Sequence, residues 1–112
     1  MDGYFRMPKS LFAEARFRKL SDGAKLLYGI MLDRVRLSEA NGWRDGKGEP
    51  YIFFTIENAM EMLGCGKQKA VKLMKELDSN GVGLIYRQNQ GQGKPCIVYV
   101  DNIVDKMLIT CG

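Results

Sequence analysis

GKQKAVKLMKELDSNG, residues 66–81, is the stretch whose reading decides the fold. Ala70, Leu73, Met74 and Leu77 recur at helical spacing, while Lys67, Gln68, Lys69 and Lys72 fall on the opposite side. The spacing predicts an amphipathic helix from about Lys67 to Ser79, closed by Asn80-Gly81. A tight turn, Gly64-Cys65-Gly66, separates it from a shorter helix that Thr55 caps. That helix has Ile56, Ala59, Met60 and Leu63 as its apolar face, Glu57 in its first turn and Gly64 as its stop. Two helices joined this way make a helix-turn-helix.

Upstream, Ser21 is a good N-cap and Asp22 suits a first turn, and Ala24, Leu27, Tyr28, Met31, Leu32 and Val35 form one apolar stripe. A long first helix is expected, ending near Asn41-Gly42. Gly42 to Pro50 carries the turn chemistry of a loose hairpin feeding a strand from Tyr51 to Phe54. Downstream, Leu84 to Arg87 and Cys96 to Val100 are β-prone and flank the polar, glycine-containing loop Gln88 to Pro95. They read as a hairpin, or wing. The order predicts a mainly α fold with a small β-hairpin (α+β), a winged helix-turn-helix.

At 112 residues the chain supports one domain, taken as residues 1–112. Residues 1–19 read as an aromatic and basic arm, and residues 101–112 as the start of a linker or C-terminal helix carried by Ile103, Val104, Met107 and Leu108. Tyr4, Phe5, Leu11, Phe12 and Phe17 offer more apolar surface than a small core obviously holds, which suggests an interface. Packing within one chain explains them equally well. Trp43 and Tyr51 read as a lid over the core, the methionines as core filler, and Cys65, Cys96 and Cys111 as reduced, mostly buried thiols.

The composition, 46% apolar and 27% charged, is that of an ordinary globule. The apolar runs are far shorter than the roughly 20 residues of a membrane span, and no secretory pattern opens the sequence, so a cytoplasmic setting is expected. There is no His, no recognisable nucleophile setting and no paired carboxylates. Neither an enzyme nor a cofactor or metal site is expected. The net charge of +4 arises in residues 64–100, which hold six basic and two acidic side chains. A localised positive excess suits an anionic polymer, although a solvated lysine face gives the same count.

The helix beginning at Lys67 decides between those two. A helix that reads duplex DNA needs an apolar side to hold it on its scaffold and long polar donors on the other. Lys67, Gln68, Lys69 and Lys72 meet that need, with Gln68 the choice for base readout. Arg87 and Lys94 flank the wing loop, where contacts to phosphate position more than they specify. A winged-helix transcriptional repressor would use the same surface. A protein-interaction winged helix would instead use the arm from Tyr4 to Phe17.

Four stretches carry a resemblance: YFRMPKSLF (Tyr4 to Phe12), LSDGAKLLYGIMLDRVRLSEANGW (Leu20 to Trp43), YIFFTIENAMEMLGCGKQKAVKLMKELDSNG (Tyr51 to Gly81) and LIYRQNQGQGKPCIVYV (Leu84 to Val100). The chain resembles the N-terminal domain of plasmid replication initiators of the RepA type. The resemblance implies a winged helix that, usually as a dimer, binds repeats in the replication origin of a plasmid or mobile element. It implies a longer initiator whose C-terminal part engages host replication proteins. Position by position it places the DNA-reading helix at Lys67 to Leu77 and the wing at Gln88 to Pro95. Gly66 departs from the capping Ser or Thr usual there, and Gly81 to Ile85 is a longer step than usual.

Overall fold

The computed structural model describes residues 7, 9–89, 91, 93, 94 and 96–101. Two single-turn helices, α1 (Ser10–Ala13) and α2 (Ala15–Arg18), precede the long α3 (Asp22–Ala40). Then come the strand β1 (Ile52–Phe53), the helices α4 (Ile56–Leu63) and α5 (Lys67–Leu77), and the strands β2 (Ile85–Gln88) and β3 (Ile97–Val100). The architecture is a winged helix, with α3, α4 and α5 around one core and a small antiparallel sheet at the side.

Local chemistry starts and stops the helices where the side chains demand it. Ser21 Oγ accepts from the Ala24 N–H at 3.2 Å, which satisfies one of the first free amides of α3. Thr55 and Asn58 cap α4 reciprocally. The Asn58 N–H donates to Thr55 Oγ1 at 3.1 Å and the Thr55 N–H to Asn58 Oδ1 at 3.0 Å. Gly64 ends α4 in the left-handed region at φ 64°, where a side chain would be strained.

The predicted stripe of α3 is buried at Ala24, Leu27, Tyr28, Met31 and Val35, and half-buried at Leu32. Its largest member, Tyr28, buries its ring and donates its hydroxyl to the Asp101 carbonyl. Phe54, Met74, Leu77, Leu84 and Val98 close the core from the other elements. Met60 is half-buried and Met62 faces solvent, so only part of the methionine complement fills the interior.

The expected two-stranded hairpin is a three-stranded sheet of order β1-β3-β2. β2 pairs antiparallel with β3 over Ile85↔Val100 to Gln88↔Ile97; β2 lies one residue along from its predicted span, and β3 starts one residue late and ends at Val100 as predicted. β1 covers the other edge of β3 through Ile52↔Val98 and Phe53↔Ile97. An isolated hairpin is marginal in water, and a third strand supplies the missing support. Ile52, Ile85 and Val98 face the core; Phe53, Tyr86 and Tyr99 face outward.

Two expectations need correction, and between two open readings of the arm the structure chooses one. Trp43 is no core lid: it is 46% exposed and stands edge-on to Phe53 at 5.8 Å on the outer side of the sheet. Tyr51, half-buried, joins the same aromatic row through Phe53 and Tyr99. The interior volume they would have covered is already filled by Phe17, Tyr28 and Phe54. For Leu11 and Phe17 the reading as packing within one chain holds, since both are fully buried in the monomer. Of the described arm aromatics, Phe12 alone is exposed, with the Lys25 ammonium 4.8 Å above its ring; Tyr4 and Phe5 lie outside the described residues. Cys65 and Cys96 are free and half-buried rather than buried, since each stands at the edge of an element; Cys111 and the tail 102–112 lie outside the described residues.

The loop from α3 to β1 is organised by Asp45. Its Oδ1 accepts from the N–H groups of Lys47 and Glu49, both at 2.9 Å, and its Oδ2 from the Tyr99 hydroxyl at 3.1 Å. The Glu49 amide, opposed in part by desolvation and helped by the Lys47 amide and Tyr99, holds the Asp45 carboxyl below its ordinary 3.8. Because the folded value is the lower one, the stabilisation is complete above the ordinary value and lost as pH falls through the folded value. Thermal melts from roughly pH 5 to pH 2 should therefore show a steeper loss of stability for the wild type than for Asp45→Asn. Parallel curves would mean that the charge of Asp45 contributes nothing to the loop.

Candidate nucleic-acid interface

α5 is held by one side and offers the other. Ala70, Leu73, Met74 and Leu77 are buried, as the spacing predicted. At about 100° per residue, Gln68 points within about 10° of the direction opposite those four, and Lys72 and Lys75 lie within about 30° on either side of it. Lys67 and Lys69 stand at roughly right angles, on the two flanks. All five side chains are exposed, and among the described residues none of the four lysines is ion-paired. Gln68, Val71, Lys72 and Lys75 line one shallow depression, which Glu76, Asn80 and Gly81 complete.

Lys75 escaped the sequence reading although its spacing from Gln68 and Lys72 places it on the same stripe. The i, i+4, i+7 pattern was the signal. Gly66 gives α5 no side-chain cap bond, so the amides of its first turn are left open beside Lys67 and Lys69 and add positive potential there.

The acidic residues of α5 and its end are committed elsewhere. The two Glu76 oxygens accept from the Ser21 N–H at 2.9 Å and from the Ser21 hydroxyl at 2.8 Å. One carboxylate thus sits at the N-terminus of α3, where the helix dipole favours it, and pins α5 to α3. Gly23 lets the two helices approach: a Cβ there would stand 3.0 Å from Leu73 Cδ1.

Asp78 stops α5 two residues before the predicted end. Its backbone turns extended, and its buried carboxylate accepts from the Asn80 N–H at 2.8 Å and from Arg87 Nη2 at 2.5 Å. The chain then folds back under the helix. Val82 N–H donates to the Glu76 carbonyl at 3.0 Å, Leu84 N–H to Leu77 at 2.8 Å, and Gly81 and Gly83 N–H to Asp78 at 2.9 and 3.0 Å. These bonds satisfy the last carbonyls of α5 and fasten the longer Gly81 to Ile85 step to it.

Of the six residues expected at the surface, Lys67, Gln68, Lys69 and Lys72 come together on α5. Lys94 is exposed in the wing loop, where Asn89 Oδ1 accepts from the Gly91 N–H at 3.0 Å. Arg87 stands apart from them, on β2, with its guanidinium on Asp78. Among the described residues no cluster of His, Cys, Asp or Glu could hold a metal ion, and no helix is long and apolar enough to cross a membrane.

A winged helix with a basic, outward α5 is a scaffold built to present one helix. The chain belongs to the replication initiator protein A (RepA) N-terminus family, whose model matches residues 3–109. Among solved structures it is similar to a Rep–DNA complex, with 33% identity and a TM-score of 0.76 over 88% of this chain and 75% of that one. It is also similar to the N-terminal domain of a DNA-binding protein, with 32% identity and a TM-score of 0.74 over 96% of this chain and 83% of that one. A third likeness is to an MDR initiator, with 27% identity and a TM-score of 0.72 over 97% of this chain and 89% of that one. A 41 kDa protein of Lactobacillus helveticus is 29% identical over 85 residues, which are 76% of this chain and 24% of that protein. The chain thus spans about a quarter of that relative's length.

Gly81→Ala and Arg87→Met test the joint between α5 and the wing, each beside a milder comparison. A Cβ on Gly81 would sit 2.1 Å from the Glu76 carbonyl oxygen, so Gly81→Ala should destabilise by about 1–3 kcal/mol in urea unfolding. Gly46→Ala, with open space around it, should stay within about 0.5 kcal/mol of wild type. Arg87→Met leaves the Asp78 carboxylate buried without its cation and should cost about 2–3 kcal/mol. Asp78→Asn should cost less, because the amide oxygen still accepts and the partly exposed Arg87 can turn to water. The reverse order would show that the pair does not work as described.

Proposed function

We propose that this chain binds double-stranded DNA by inserting the outward stripe of α5 into the major groove, as the N-terminal domain of a plasmid or mobile-element replication initiator bound at origin repeats. The observation that carries the reading is the set of exposed lysines Lys67, Lys69, Lys72 and Lys75 around Gln68, none of them ion-paired among the described residues, on a helix whose other side is locked in the core. Lysines on the flanks reach phosphates on either side of a groove, and Gln68 reaches base edges. Lys94 on the wing adds a further backbone contact. Arg87 serves by holding the wing to α5 through Asp78. Family membership and the likeness to a solved Rep–DNA complex support the initiator reading over a repressor. In this reading the domain acts as a dimer in the cytoplasm, without catalysis of its own. Residues beyond it, in a protein as long as the 41 kDa relative, recruit the host replication proteins.

Electrophoretic titrations of origin-repeat duplexes at several salt concentrations test the claim. With about five phosphates neutralised, log K should fall against log salt with a slope of about −4 to −5. The double variant Lys72→Gln/Lys75→Gln should reduce that slope by about 2. A flat salt dependence in the wild type would sink the proposal.

A further inference from the structure

The outward stripe of α5 is not uniformly basic. Val71 lies three residues on from Gln68, about 60° round the helix and just beyond Lys75; it is half-buried and shares their depression, although the core is already filled by Ala70, Leu73, Met74 and Leu77. A β-branched residue in the middle of a helix carries a small propensity cost, and here it has no place in the interior to offset it. Its neighbour Gln68 has the amide that matches adenine in the major groove, where the N7 acceptor and N6 donor lie side by side. The partner of every adenine is thymine, which places a methyl group in the same groove. A stiff apolar side chain three residues from an amide on one helical face is a chemical complement to that methyl.

We propose that Gln68 and Val71 form the specificity-determining pair of α5, reading neighbouring A·T base pairs: Gln68 bonds adenine through N6 and N7, and Val71 packs on a thymine 5-methyl. Lys72 and Lys75 hold the helix in the groove by charge. Glu76, on the edge of the same depression, has both its oxygens turned onto Ser21, so it offers no free acceptor to the base edges. The inference rests on the DNA-binding reading above.

The probe is a pool of random duplexes about two helical turns long, from which the 112-residue chain selects its preferred sites. Each thymine of a selected site is then replaced singly by deoxyuridine, which removes only the 5-methyl. One such replacement should weaken wild-type binding about fourfold and leave binding by Val71→Ala unchanged, since that variant has already lost the contact. Gln68→Ala should lose about tenfold or more on the wild-type site and no longer prefer adenine at one position. The deoxyuridine arm alters only the DNA, so protein folding cannot mimic its result. The pair fails if every deoxyuridine site binds wild type and Val71→Ala in the same ratio as thymine, or if Gln68→Ala selects the wild-type sequence. Salt-sensitive binding without any preferred sequence overturns this inference and leaves DNA binding standing. No binding to any duplex overturns both.

Discussion

The seating of α5 on α3 is the constraint from which the rest of the structure follows. Burying Leu73, Met74 and Leu77 is worth about 1.5–3 kcal/mol each, whereas turning a lysine ammonium inward without a partner costs several. The comparison leaves one orientation of the helix. Once the apolar edge is down, Gln68, Lys72 and Lys75 must face solvent and Lys67 and Lys69 must flank them. Gly23 permits the close approach and the Glu76 bonds to Ser21 fix its register, so the stripe is presented at one angle to the scaffold.

The same helix also organises the wing. Its last carbonyls need donors, and the returning chain supplies them from Gly81, Val82, Gly83 and Leu84. The Asp78 carboxylate adds Arg87 of β2 to the joint. Helix and the base of the wing are therefore coupled by backbone bonds as well as by a buried charge. Both acidic residues near the basic surface of α5 also hold it in place, Glu76 through Ser21 and Asp78 through Arg87.

Much of this was legible beforehand because helices announce themselves through periodicity. The buried faces of α3 and α5, the Ser21 and Thr55 caps and the Gly64 stop all follow from spacing and residue type. Lys75 was equally readable, since it follows Gln68 and Lys72 at helical spacing. The failures share a cause. Trp43, which the sequence misplaced, and Leu11 and Phe17, for which it left two readings open, are large apolar residues in segments without strong periodicity, where hydrophobicity says that a side chain wants cover and not which element provides it. β1, two residues long, has too little pattern to name its partner strand.

By itself the sequence determined which side of each helix is apolar, where the helices begin, and that a lysine-rich segment lies opposite a core-forming one, since these depend on residues within a few positions of one another. Tertiary structure alone decided that β1 completes the sheet against β3, that Ser21 and Glu76 meet across 55 positions, and that Arg87 spends its charge on Asp78. Those pairings depend on volumes, edges and unsatisfied polar groups that exist only once the chain has folded on itself.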